Sequence, residues 1–353
     1  MRKLLYILFL LSAVCACDPA SYFDKDKKGE DEEESTVLPF AKGGDISWIT
    51  EMEAKGYKFY DKNGKQSECT ALLKSIGFNA VRYRVWVDPD GGWCNKEDVL
   101  KKASRAKELG MMIMIDFHYS DWWADPGKQN VPATWKSYDN VQMASAVASH
   151  TKEVLSYLKK NGIDVSWVQV GNEVENGMLW ESGRVSGQNG QTFVSYFNAG
   201  AAAVKEVYPD ASVILHISNS WNTDTLYWFY SLMKDCKASY DMIGLSLYPS
   251  YWENGGYPDW TTKTKSAVAN FKSLSTQFSK PVMLVEFGMP ASEPEKSKEC
   301  LQYILDNTKN NKEFKGIFLW EPESEKSRNN YEYGAFADGK PTAALDPFNN
   351  KAE

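Results

Sequence analysis

Along residues 40–320, short apolar runs alternate with longer segments in which apolar positions recur every three or four residues. The first pattern fits buried strands and the second amphipathic helices. The first run predicts a strand over 40–47, and a helix follows over 48–56. An Asn63-Gly64 pair marks a hairpin within 57–66. A glycine-capped helix over 68–77 leads into a second strand over 79–87. The alternation then becomes regular: helix 96–110, strand 111–118, helix 141–160, strand 165–171, helix 191–208 and strand 212–217. It continues with helix 223–236, strand 242–247, helix 264–278, strand 282–286, helix 292–310 and strand 316–320. Eight strands alternating with helices predict an α/β chain closed as a (β/α)8 barrel. In a chain of 353 residues, one such barrel accounts for 38–350 as a single domain. A doubly wound open sheet would carry a glycine-rich phosphate loop after its first strand. Gly43-Gly44-Asp45 lies inside that strand and lacks the Gly-x-Gly-x-x-Gly spacing.

Functional groups in such barrels sit at the C-terminal ends of the strands, and these ends are polar or aromatic throughout. They carry Asp45 after the first strand, Arg84 and Trp86 after the second, and Asp116, His118 and Tyr119 after the third. Asn172 and Glu173 follow the fourth, Asn219 and Trp221 the fifth, Tyr248 the sixth, Glu286 the seventh, and Trp320 and Glu321 the eighth. Two of these ends share one design. Val168-Gln169-Val170-Gly171-Asn172-Glu173 and Val282-Met283-Leu284-Val285-Glu286-Phe287-Gly288 are both buried-strand patterns that deliver a glutamate beside glycine. Such a pair is what a retaining glycosidase needs, one carboxyl to protonate the leaving oxygen and one to attack the sugar carbon.

Composition supports a sugar ligand. Aromatic residues make up 14% of the chain, with 13 Trp and 19 Tyr. Many stand beside Asp, Asn, Gly or Pro, where a strand has already ended, so their flat faces are offered in loops. A net charge of −7 without a basic stripe argues against nucleic acid. At the N-terminus, Arg2-Lys3 precede an apolar run over 4–14, and Val14-Cys15-Ala16-Cys17 resembles a bacterial lipobox. This predicts a signal segment over 1–17 with lipid on Cys17, then an acidic tether over 18–37 too polar to pack a core. The acidic residues behind the cysteine resemble the surface-export signal of Bacteroides-type lipoproteins. The expected location is therefore the outer membrane surface, held by the lipid alone, because no later apolar run is long enough to span a bilayer. Cys69, Cys94, Cys236 and Cys300 remain; their spacing suits no zinc cluster, and Cys69 with Cys94 is the most local disulfide pairing.

Specific runs then identify a family. Asp116-Phe117-His118-Tyr119-Ser120-Asp121-Trp122-Trp123-Ala124-Asp125-Pro126 closely resembles the strand-three signature of glycoside hydrolase family 53, the endo-β-1,4-galactanases. Gly44-Asp45-Ile46-Ser47, Arg82-Tyr83-Arg84-Val85-Trp86-Val87, Gln169-Val170-Gly171-Asn172-Glu173, Ile243-Gly244-Leu245-Ser246-Leu247-Tyr248-Pro249 and Phe318-Leu319-Trp320-Glu321-Pro322 match as well. The resemblance implies a retaining endo-hydrolase of β-1,4-galactan and arabinogalactan, acting as a monomer without cofactor, with Glu173 as acid/base and Glu286 as nucleophile. Asn172 is placed for the sugar 2-hydroxyl, Tyr248 and Arg84 to hold Glu286 ionised, and Trp320 to floor the subsite of the cleaved sugar. Asp45, Trp86, His118, Tyr119, Asp121, Trp122, Asn219, Trp252 and Glu321 complete the expected substrate-binding set.

Two segments depart from the family pattern, 288–295 and 323–333, both short and the second highly polar. Some bacterial members bind calcium with a long loop at the first, so no calcium or other metal site is carried over. A sister barrel enzyme on mannan, xylan or glucan would share the Asn-Glu pair but not the strand-three run. A non-catalytic glycan-binding lipoprotein would keep the aromatics and lose one glutamate, and both glutamates are present.

Overall fold

The computed structural model describes residues 38–349. The signal segment, Cys17, the acidic tether and residue 350 lie outside them. Eight parallel strands close into one barrel: β1 (Ala41–Asp45), β2 (Ala80–Val85), β3 (Met112–Phe117), β4 (Trp167–Val170), β5 (Ser212–Ile217), β6 (Met242–Leu247), β7 (Val282–Phe287) and β8 (Phe314–Trp320). Each strand pairs with its sequence neighbours, and β1 closes the ring on β8. The surrounding helices are α1 (Ile49–Ala54), α2 (Cys69–Ser75), α3 (Lys96–Glu108), α4 (Asn140–Lys160), α5 (Gln191–Val207), α6 (Thr223–Asp235), α7 (Trp260–Phe278) and α8 (Pro294–Thr308). The (β/α)8 barrel is thus the observed fold. Helix α7 begins four residues ahead of the expected start because the Asp259 carboxylate accepts from the Thr261 amide and caps it there. No helix among the described residues is long and apolar enough to cross a membrane.

Strand parity sorts the side chains into two cores. Outward positions such as Val81, Val168, Leu245 and Leu284 pack on the helices. Inward positions form a plug at the barrel bottom that includes Met114, Trp167, Met283 and Phe318. Gly43 on β1 makes room for it, since a Cβ there would lie 2.2 Å from the Phe318 ring. Above the plug the inward face turns polar: Asp45, Arg82, Arg84, Asp116, Gln169 and His216 are all fully buried.

Strand β7 breaks the alternation at one point. Met283 and Val285 face inward, so period two would turn Glu286 outward. The pairing to β6 and to β8 shifts by one residue here, with Leu245 opposite Leu284 but Ser246 opposite Glu286. This β-bulge swings Glu286 back toward the barrel mouth.

One expectation fails. Cys69, Cys94, Cys236 and Cys300 are all free thiols, each buried among its own neighbours, so the Cys69–Cys94 disulfide is not formed. The Cys94 amide donates to the Asp98 carboxylate in the first turn of α3 at 2.8 Å, while Cys69 opens α2. The short polar segment after β8 packs inward, with Glu321, Glu323, Ser324 and Glu325 all buried. Glu325 accepts from the Asp338 and Gly339 amides, which ties the segment to a short hairpin over 336–341.

Candidate active site

Arg82 organises the barrel mouth. Its guanidinium donates to Gln169 at 2.8 Å, Asp45 at 2.7 Å, Asp116 at 2.9 Å and Asn172 at 2.9 Å, and it pairs with Glu286 Oε1 at 2.8 Å. One rigid fork thereby fixes residues from β1, β3, β4 and β7 relative to each other. The Tyr248 hydroxyl from the end of β6 donates to Glu286 Oε2 at 3.1 Å, so both oxygens of that carboxylate are held. Burial pushes the Glu286 pKa up to about 7, with Arg82 opposing the rise and Asp116 and Asp45 adding to it.

Glu173 has a different setting. It follows Gly171 and Asn172 with a left-handed φ of 46°, which turns the chain sharply off β4. A relay runs to its carboxyl. Gln169 donates to His216 Nδ1 at 2.9 Å, His216 Nε2–H donates to Ser246 Oγ at 2.8 Å, and the Ser246 hydroxyl reaches Glu173. Burial and then the Arg82 charge hold His216 well below its ordinary range, so it serves as a neutral link. Burial raises the Glu173 pKa well above the carboxylate range, and the charges of Glu286 and Glu175 raise it further. Glu175 is itself buried against Ser218, accepting from that residue's amide at 3.2 Å and from its hydroxyl. One carboxyl is thus held by a guanidinium and a phenol, and the other is kept protonated. The two carboxyls of this mouth therefore differ in how readily each gives up its proton.

A cleft of about 1150 Å³ lies over the pair. Glu173, Glu286, Asn172, His118, Asn219, Tyr248, Trp252 and Trp320 all line it, as the sequence suggested. Trp252 stands 50% exposed at its edge. Within this set, His118 has no free ring nitrogen: Nδ1 accepts from the Ala124 amide at 3.0 Å and Nε2 donates to Asp116 at 3.0 Å. It braces the mouth rather than donating to a sugar.

Other expected contacts lie elsewhere. Arg84 does not reach Glu286; it sits one layer nearer the mouth than Arg82, pairs with Glu321, and is boxed by Trp48, Trp86 and Trp123. Asp45 and Glu321 are sealed in with these two arginines and present nothing to the cleft. Tyr119 points behind the barrel, its hydroxyl 2.7 Å from Thr151 of α4. Asp121 accepts from the Asp88 and Ala133 amides, joining two loops. Trp86 is buried against His118 and Trp122, and Trp122 lies outside the cleft although 53% exposed.

The sequence reading missed Arg82, Trp123, Tyr331 and Tyr333. Arg82 shares its inward face with Arg84, so parity alone could have offered it. Tyr331 and Tyr333 arrive on the segment after β8 and contact Trp320 and Tyr248. Among the described residues no group of three or more His, Cys, Asp or Glu side chains is placed to hold a metal ion.

Residues 41–312 match the model of glycosyl hydrolase family 53. A protein of Neosartorya fischeri named as a probable arabinogalactan endo-β-1,4-galactanase A is 35% identical over 260 residues, 72% of this chain and 70% of that one. A solved fungal β-1,4-galactanase aligns with a TM-score of 0.78 at 27% identity, covering 88% of this chain and 99% of that chain. The family 53 catalytic domain of Ignisphaera aggregans aligns with a TM-score of 0.76 at 25% identity, covering 89% and 97%.

Proposed function

The chain belongs to glycosyl hydrolase family 53, and on that footing we propose that it is an endo-β-1,4-galactanase. It cleaves internal linkages of galactan and type I arabinogalactan by double displacement with retention. The observation that carries this reading is the unequal setting of two cleft carboxyls, Glu286 held by Arg82 and Tyr248 and Glu173 kept protonated by burial. Glu286 attacks the anomeric carbon while Glu173 gives its proton to the glycosidic oxygen, so the C–O bond breaks and the leaving chain departs as an alcohol. Esterification removes the Glu286 charge that had raised the Glu173 pKa. Glu173, now a carboxylate, takes a proton from water as the water oxygen attacks the same carbon and Glu286 leaves as carboxylate.

The neighbouring groups serve this sequence. Asn172 Nδ2 donates one proton to the Ala124 carbonyl at 2.8 Å, which leaves its second for the sugar 2-hydroxyl. Trp320 floors the reacting subsite, and Tyr248 keeps Glu286 aimed. Asn219, Trp252 and Tyr251 extend the contacts outward along the cleft.

The test is a substrate panel. On pectic galactan, viscosity should fall before much reducing sugar appears, with mixed short oligosaccharides early and little free galactose. Mannan, xylan and mixed-linkage glucan should be poor substrates. Faster cleavage of any of these than of galactan, or galactose released from the start at constant viscosity, overturns the proposal.

Cys17 carries a lipid that holds the enzyme at the outer membrane surface; the support is the Cys15-Ala16-Cys17 context and the acidic tether. Cys17→Ala should release the chain from membrane fractions and Cys15→Ala should not. Soluble wild-type protein would remove the anchor.

A further inference from the structure

A second groove opens away from the catalytic cleft, between the loop that follows β2 and the first turns of α4. It measures about 820 Å³, within the range of sites that enclose a small ligand. Its apolar surface is chiefly the exposed Tyr138 ring and Val141 side chain, beside the largely buried indoles of Trp86 and Trp135. Between these faces stand uncharged hydrogen-bonding groups, Asn95, Gln142, Ser145 and Ser149. Lys96 on its wall pairs with Glu153 and lies 3.9 Å from Glu97, and with Asp88 these carboxylates leave the lining with an excess of negative charge. His150 beneath it has a buried Nε2 without a partner, and burial lowers its pKa to about 4, which leaves it neutral above that pH. An exposed tyrosine ring beside amides, hydroxyls and carboxylates suits an uncharged polyhydroxylated ligand, whose hydroxyls can donate to those carboxylates, and the acidic excess repels an anion.

The groove is joined to the cleft by a row of indoles. Trp320 and Trp123 line the cleft with ring centroids 5.6 Å apart. Trp122 lies 6.1 Å from Trp123, and 4.7 Å beyond it Trp86 forms part of the groove. Trp122, packed between Trp123 and Trp86, is still 53% exposed, so this stretch of the path faces solvent.

We propose that this groove is a second glycan-binding site, taking a neutral β-1,4-galactan segment of the same polymer whose backbone is cut in the cleft. The site rests on the galactanase reading for the identity of its sugar. Holding the polymer at two places raises its effective concentration at the cleft without touching the chemistry.

Two surface variants of the full chain test it: Tyr138→Ala, which removes an aromatic face, and Ser145→Trp, which fills the groove. Each is compared with wild type on pectic galactan and on a nitrophenyl β-galactobioside, which is confined to the cleft. Galactan affinity is also read by gel-electrophoretic retardation. Both variants should raise KM for galactan roughly three- to tenfold and lose retardation, with kcat and galactobioside turnover unchanged. Wild-type KM and retardation in both variants would overturn the groove, and so would equal losses on both substrates. A wild-type enzyme that cleaves neither substrate would overturn the galactanase reading instead.

Discussion

Glu286 accepts from Arg82 and Tyr248, whereas Glu173 meets the Ser246 hydroxyl and the charges of Glu286 and Glu175. Two identical side chains in one cleft therefore differ in how readily they ionise: burial raises both, Glu286 to about 7 against the pull of Arg82, and Glu173 well above the carboxylate range. The rise has a cost in stability that pH should reveal. The ordinary glutamate pKa is 4.5, and folding raises that of Glu173 well above it, with burial the largest cause. A carboxyl raised on folding favours the folded state fully below its unfolded pKa, and that contribution is lost as pH rises through the folded value. Glu173→Gln cannot ionise and escapes the loss. Its melting temperature should equal that of wild type near pH 4.5 and exceed it by roughly 2–4 °C at pH 8, at the expense of activity. Equal melting temperatures at both pH values would show that Glu173 ionises in the fold as it does in the unfolded chain.

At the scale of elements, alternation placed the eight strands to within about two residues, because each is a continuous apolar run between polar ends. Strands β5 and β6 fall on the expected 212–217 and 242–247. Both cleft glutamates were legible for the same reason, as polar interruptions where such runs stop. What period two could not supply was the bulge in β7, which makes Glu286 face the cleft against the parity of Met283 and Val285. Nor could it rank Arg82 against Arg84. Both point inward from β2, and the choice depends on depth in the barrel, which is set by shear between strands. Composition marked the segment after β8 only as short and polar; it could not show that Glu325 holds two backbone amides or that Glu321 pairs with a buried arginine. The strand-three run named the family and at the same time drew Tyr119 and Asp121 into the expected site. Those two shape the signature by packing and by loop capping, without touching the cleft.

Across the whole molecule the barrel is layered along its axis: an apolar plug, then a sealed charge network centred on Arg82, then a wide aromatic cleft. The plug and helices surround the network, and the network, with Tyr248, holds both oxygens of the Glu286 carboxylate. The account therefore stands on Glu286 as the nucleophile, which replacement and chemical rescue test most directly. Glu286→Ala should not turn over galactan, since no carboxylate remains to form the glycosyl ester. With added azide and a dinitrophenyl β-galactobioside, hydrolysis of the aglycone should return, and the product should be the α-galactobiosyl azide, inverted at the anomeric carbon. A β-configured azide, or galactan cleavage at the wild-type rate without azide, would contradict the account and place the nucleophile on another residue.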